Sequence, residues 1–278
     1  MLTLLIVSKM KLINHIITVI MFANFCIANA QEANYPIRLW NEDSIKSQIT
    51  IYKAKKQNSN GMGIVVCPGG SYSFVSMNNE GNPVGKWLSD NGITAIVLNY
   101  RIPNGNRALP IEDAREALRY MHRNAKNLNV NPYKIGIWGS SAGGHLASTI
   151  STHFSDSLSH PSFQVLYYPV ISSRGDLRHS KSFKNLLGEN ATKNDYSDYS
   201  NELHVDRMTP ATLFILSDDD PTVNPMNSVV FYESLKRYNI PAALYIFPIG
   251  KHGYGFNKDW PYQNISRELV LNWLQTIK

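Results

Sequence analysis

The pentapeptide Gly139-Ser140-Ser141-Ala142-Gly143 sits between two segments of different character. Before it, Ile135-Gly136-Ile137-Trp138 is a short apolar run; after it comes a helix-like stretch. A strand that passes directly into a helix must turn sharply, and small residues flanking a central serine leave room for that turn. The turn lifts the serine hydroxyl above a sheet edge and aims a helix N-terminus at it. The G-x-S-x-G register selects Ser141, because Ser140 would need glycines at Trp138 and Ala142. Alone, the pentapeptide also describes a Gly/Ser-rich turn without chemistry, so its weight depends on the rest of the chain.

The rest of the chain has the rhythm that such a turn requires. Apolar, non-alternating runs occur at 64–67, 94–98, 135–138, 163–168, 211–216 and 243–247. Runs of that kind fit strands buried on both faces, as in a parallel sheet. Between them, Ile111, Ala114, Leu118, Met121, Ala125 and Leu128 recur at helical spacing behind Pro110, a residue suited to a first turn. Residues 228–238 read as helix with Val229, Tyr232 and Leu235 on one side, and Ile265, Leu269, Trp273 and Leu274 give a last helix its face. Strand and helix in alternation predict a doubly wound, mostly parallel α/β sheet with helices on both faces. A strand at 48–52 precedes the repeats and predicts an antiparallel start. Residues 172–209 break the rhythm with Ser, Asn, Asp and Lys, and read as a lid-like loop/helix insertion over the carboxyl edge of the sheet.

Residues 1–30 carry a different signal. Lys9 and Lys11 precede an apolar run that ends in Ala28-Asn29-Ala30. Basic n-region, short apolar h-region and A-x-A predict a secretory signal peptide cleaved after Ala30, with Met10 as an alternative start. The run is short for a membrane span. The expected mature chain, 31–278, is then a single domain, secreted or periplasmic, without stable membrane insertion. Cleavage removes Cys26 and leaves Cys67 alone, so no internal disulfide supports the fold. The net charge of +6 is scattered without a dense basic run, which speaks against nucleic acid as a partner.

A serine hydroxyl needs a base, and His252 stands in Gly250-Lys251-His252-Gly253-Tyr254-Gly255, late in the chain and after a strand. Of the eight histidines, His145 and His153 read as helix residues and His122 as the polar side of a helix. The base needs an orienting carboxylate. Asp218, Asp219 and Asp220 all follow the 211–216 strand, and their positions alone do not choose among them. The order Ser…Asp…His along the chain fits the α/β-hydrolase order. Two N–H donors are expected for an oxyanion: one from Ala142, the other from Pro68-Gly69-Gly70-Ser71-Tyr72 after the first parallel strand. No G-K-[ST] follows those glycines, which disfavours a phosphate cradle.

At these residues the chain resembles the bacterial acetylxylan esterase-like and hormone-sensitive-lipase-like α/β hydrolases. The matching stretches are 66–72, Asn99-Tyr100-Arg101, 109–114, 135–145, Leu186-Leu187-Gly188 and 251–255. Three departures stand out: Ser71 for a third glycine, Lys251 for a glycine before the histidine, and Asn224 for a proline. Aligning D-x-x-V on Asp220-Pro221-Thr222-Val223 implies Asp220 as the acid beside His252. The resemblance implies an α/β-hydrolase fold and a serine esterase with Ser141, Asp220 and His252 as its triad. It also implies Gly70, Ser71 and Ala142 as the oxyanion hole, and no metal or organic cofactor. The implied partner is a small-molecule or oligosaccharide ester, chiefly an acetyl ester on plant polysaccharide. A general short-chain carboxylesterase, a feruloyl esterase and, further off, a prolyl-oligopeptidase-like peptidase are the competing activities. Asp113 also matches the family pattern and reads as packing against the Tyr100-Arg101 turn.

Overall fold

The computed structural model describes residues 34, 36–40, 42, 46–256 and 259–277. The expected signal peptide, 1–30, lies outside the described residues. The strands are β1 Ile37–Arg38, β2 Gln48–Tyr52, β3 Gly63–Cys67, β4 Thr94–Asn99, β5 Ile135–Ser140, β6 Phe163–Tyr167, β7 Ala211–Ser217 and β8 Ala242–Phe247. They form one sheet in the order β1-β2-β4-β3-β5-β6-β7-β8. β1 pairs with β2 and β2 with β4 in antiparallel fashion, and every later pairing is parallel. β3, β5 and β6 are buried at every position, which is why their sequences are mostly apolar without alternation; buried Gln164 in β6 donates from Nε2 to Thr212 Oγ1.

The α-helices are α1 Asn82–Asp90, α2 Ala108–Arg123, α3 Ala125–Leu128, α4 Ala142–Thr152, α5 Ser180–Leu187, α6 Lys193–Asp198, α7 Met226–Arg237 and α8 Gln263–Leu274. α2, α4 and α7 cover one face of the sheet, with α2 against α4. α1 and α8 meet on the other, where Arg267 lies over the Trp87 ring. The single helix suggested by the spacing from Ile111 to Leu128 is broken at Asn124 into α2 and α3. The buried face of α8 is Gln263, Ser266, Val270 and Leu274, while Ile265 is half exposed. Asp113 is fully buried and accepts hydrogen bonds from Trp40 Nε1 at 2.7 Å and from the Arg101 backbone N–H at 2.8 Å, so it holds the turn after β4.

Residues 172–209 fold into α5, α6 and two short 3₁₀ turns. A capping box between Thr192 and Asp195 starts α6. Buried Asn227 of α7 ties the beginning of the segment down: its Oδ1 accepts from the N–H groups of Ile171 and Ser172, and its Nδ2 donates to Leu177 O. No helix of the described residues is long and apolar enough to cross a membrane.

The sheet order reverses at β3, because the chain leaves β3 for β4 on one side and later adds β5 on the other. In an open α/β sheet, the loops at such a switch point diverge and leave a crevice at the carboxyl ends of the strands. The segments bordering it here are 68–76, after β3, and Ser141, after β5. A separate surface cleft of about 550 Å³ lies at the opposite, amino end of the sheet, between Ile135, Ser162 and Met208.

Candidate active site

Ser141 stands between β5 and α4 with φ +53° and ψ −122°. A non-glycine residue held there costs on the order of 1–3 kcal/mol, so its surroundings must over-determine it. They do. The Ser141 N–H donates to Tyr167 O at the end of β6, and the Ser141 carbonyl accepts from His145 and Val170 N–H groups. A Cβ on Gly143 would drive into the carbonyl oxygens of Cys67 and Pro68, so only glycine lets α4 press against the end of β3.

The structure brings Ser141, His252 and Asp220 into one hydrogen-bonded line. His252 Nε2 is 2.8 Å from Ser141 Oγ, and His252 Nδ1 is 2.6 Å from Asp220 Oδ2. The Asp220 side chain is 1% exposed and that of His252 is 16% exposed, so the imidazole is shielded but reachable. Asp220 Oδ1 accepts from the N–H groups of Thr222 and Val223, which stabilise the carboxylate and fix its orientation. Asp218 and Asp219 are exposed. Asp219 Oδ1 accepts from the Lys251 N–H at 2.7 Å, next door to His252. This arrangement can polarise a hydroxyl through the imidazole while the buried carboxylate holds the ring in one tautomer.

Two of the three departures from the family pattern fall where the backbone is left-handed. Lys251 has φ +56° and Ser71 has φ +55°. Glycine takes that conformation freely, whereas an L side chain costs about 1–2 kcal/mol. At Lys251 the Asp219 hydrogen bond and a 2.5 Å bond from Ser217 Oγ to the Lys251 carbonyl hold the turn. Asn224 stands two residues before α7, its Oδ1 accepting from Met226 N–H.

The loop carrying Gly70 and Ser71 has its carbonyls occupied one after another. Tyr100 Oη donates to Pro68 O, Ser76 N–H to Gly69 O, Ser73 N–H to Gly70 O, and Asn185 Nδ2 of α5 to Ser71 O. The loop lies against the serine turn, since a Cβ on Gly69 would stand 2.9 Å from Ser141 Cβ. Ala142 is fully buried at the first turn of α4.

Sequence reasoning missed the groups that hold these loops. Buried Glu80 accepts from Gly69 N–H and Tyr168 Oη, both at 2.8 Å. Tyr168 lies edge-on to the His252 ring, with centroids 4.8 Å apart. His145, read only as a helix residue, joins Tyr72 Oη to Tyr199 O through its two ring nitrogens, at 3.0 and 2.8 Å. The available signal was a lone acid in an otherwise neutral stretch, Asn78-Asn79-Glu80-Gly81, too common to single out.

An eight-stranded, mostly parallel sheet with the serine turn after β5, the acid after β7 and the histidine after β8 defines an α/β hydrolase. The BD-FAE family model matches residues 49–235, and the chain belongs to this family. It is similar to an acetylxylan esterase of Xylanibacter ruminicola, 37% identical over 225 residues that cover 80% of this chain and 47% of that protein. It is also similar to endo-1,4-beta-xylanase B of Butyrivibrio fibrisolvens, 32% identical across 68% of this chain and 32% of that protein. The chain thus spans less than half the length of these two relatives. Among solved structures, an acetyl ester-xyloside bifunctional hydrolase from Caldicellulosiruptor lactoaceticus superposes with a TM-score of 0.82 at 34% identity, covering 90% of this chain and 98% of that one.

Proposed function

We propose that this chain is an exported serine esterase that removes short acyl groups, chiefly acetyl, from carbohydrate esters such as those of xylan fragments. The observation that carries the reading is the continuous line from Asp220 through His252 to Ser141 at the strained turn. His252 takes the Ser141 proton as Oγ attacks the ester carbonyl. The N–H groups of Gly70, Ser71 and Ala142 receive the developing oxyanion. The tetrahedral species collapses to an acyl-enzyme as His252 gives its proton to the leaving alcohol. Water, deprotonated by the same imidazole, then releases the acid and restores Ser141. Asp220 keeps the ring oriented and stabilises the imidazolium in both halves. None of these steps requires a metal or organic cofactor. The carbohydrate part of the reading is supported by the relatives named for acetylxylan and acetyl-xyloside chemistry.

The test is product release from acetylated xylan and xylo-oligosaccharides, set beside a simple aryl acetate, an octanoyl ester, a feruloyl ester and a peptide amide. Acetate release from the oligosaccharides, abolished in Ser141→Ala with the fold intact, is the expected result. Activity confined to simple aryl acetates would replace the carbohydrate substrate with a general short-chain carboxylesterase. Preference for the octanoyl or feruloyl ester, or cleavage of the amide, would overturn the acetyl reading outright.

A further inference from the structure

Between β3 and α1 the chain makes a π-helical turn, Met77–Gly81, a rare geometry often found where a site is built. Two side chains of this turn reach both loops that flank Ser141. Asn79 Nδ2 donates to Gly253 O, one residue beyond His252, at 2.8 Å. Glu80, 4% exposed, accepts the Gly69 N–H on Oε2 and the Tyr168 hydroxyl on Oε1. Tyr168 Oη in turn accepts the Gly255 N–H at 2.8 Å.

Backbone donors stand at both ends of this chain. Gly69 and Gly255 contribute backbone N–H groups, which can only donate. The Tyr168 oxygen is occupied as an acceptor, and its own hydrogen points to Glu80. With Tyr168 donating, both Glu80 oxygens accept, the pattern of a carboxylate. Burial holds the Glu80 pKa above the usual carboxylate range, opposed in part by the bonds from Tyr168 and Gly69 and by His252. A buried carboxylate with two charge-assisted hydrogen bonds is a stiff element.

We propose that Glu80, acting through Tyr168, is a positioning residue that sets the spacing between the loop of Gly69 to Ser71 and the loop of His252. Gly69 leads directly into the Gly70-Ser71 pair, and Gly255 closes the turn that carries His252. One carboxylate thus references the proposed oxyanion donors and the general base to each other. Such a link acts on the transition state more than on substrate capture, because an error of about 1 Å between donor and base costs on the order of 100-fold in rate. The inference rests on the esterase reading above.

Glu80→Gln is the informative change, because an amide has one acceptor oxygen. With its oxygen on the Gly69 N–H it presents an NH2 to Tyr168, so the charge-assisted bond from the Tyr168 hydroxyl is lost. Tyr168→Phe cuts the same link on the other side and leaves Glu80–Gly69 intact, so it serves if the glutamine variant does not fold. Rates are taken per active serine, counted by stoichiometric reaction with a nitrophenyl phosphonate carried to completion, which removes any misfolded fraction. The expected result is a kcat for aryl acetate lowered roughly 10–100-fold in each variant, with KM within about threefold. The double variant should be no worse than the more damaged single one, because both cut one chain. Wild-type kcat per titrated serine in either folded variant, or losses that multiply in the double variant, would overturn the proposal. Wild-type protein that neither hydrolyses the ester nor takes the phosphonate would instead remove the esterase reading itself.

Discussion

Asp218, Asp219 and Asp220 leave the end of β7 within a single turn, yet their carboxylates meet different surroundings. Asp220 turns inward to His252 Nδ1 and is held by two backbone N–H groups. Asp219 turns along the surface to the Lys251 N–H. Asp218 is exposed, and its backbone N–H ties β7 to Phe247 O of β8. Replacing Asp220 by Asn should leave the fold intact and cost about 10⁴ in kcat, the loss seen when an analogous carboxylate no longer selects the tautomer. Asp219→Asn weakens only the turn at Lys251 and should cost no more than about tenfold, since an exposed partner contributes little. Asp218→Asn should be near neutral. Initial rates for the three variants on one ester at fixed pH check the order, and a severe loss at Asp219 with a mild one at Asp220 would reverse the assignment.

Helix α4 does more than present Ser141. His145 on its first turns is fully buried between Tyr72 of the loop after β3 and Tyr199 of the inserted segment. The Tyr199 carbonyl only accepts, so Nε2 carries the hydrogen and Nδ1 accepts from the Tyr72 hydroxyl. Burial pushes this imidazole down to about pKa 4, so it is neutral at ordinary pH. An unfolded chain binds a proton at a histidine pKa near ~6.5. Between about pH 6.5 and 4 the unfolded state therefore holds a proton that the folded state lacks, and stability falls as pH falls through that window. At about 1.4 kcal/mol per pKa unit the full window amounts to on the order of 3 kcal/mol. His145→Gln should be less stable at pH 7 and should lose less on acidification to pH 4.5 than the wild type. Urea unfolding at the two pH values measures both. His122, His153 and His179 also have lowered values, but they are common to both proteins and cancel in the comparison. A wild type and variant with equal losses on acidification would assign the pH dependence to other groups.

On the scale of the whole molecule, one sheet collects side chains from distant parts of the chain at one edge. Glu80, Ser141, Tyr168, Asp220 and His252 follow β3, β5, β6, β7 and β8, and each lies close beyond a strand's carboxyl end. That edge is the place where parallel strands release their loops on the same side. The proposed export signal belongs to this scale too. Protein recovered from a secreting host is expected to begin at Gln31, and intact-mass spectrometry reads the difference directly. A membrane-bound chain still carrying residues 10–30 would contradict cleavage.

The strands from β2 onward, and the loop positions of Ser141 and His252, were legible from the sequence because each leaves a local trace, whereas the two-residue β1 left none. Doubly buried strands are mostly apolar without alternation, and the turn at Ser141 excludes bulky neighbours by direct collision. The helix faces were less legible: α7 buries Asn227, Ser228, Phe231 and Leu235, rotated from the stripe of Val229, Tyr232 and Leu235. Polar Asn227 faces inward because it satisfies the backbone of Ile171 and Ser172, a partner that no periodicity can reveal. Likewise, position alone did not separate three adjacent aspartates; the match to a family pattern did, and the fold brings that residue to His252. Nothing local distinguishes Glu80 from a surface acid. Its burial and its two hydrogen bonds exist only once Gly69, Tyr168 and Gly255, separated by up to 186 positions, meet across the crevice. What depends on short-range sterics and on burial of continuous strands was determined by the sequence itself. What depends on satisfying a buried polar group at long range was decided by the tertiary structure, because only there do donor and acceptor come within reach.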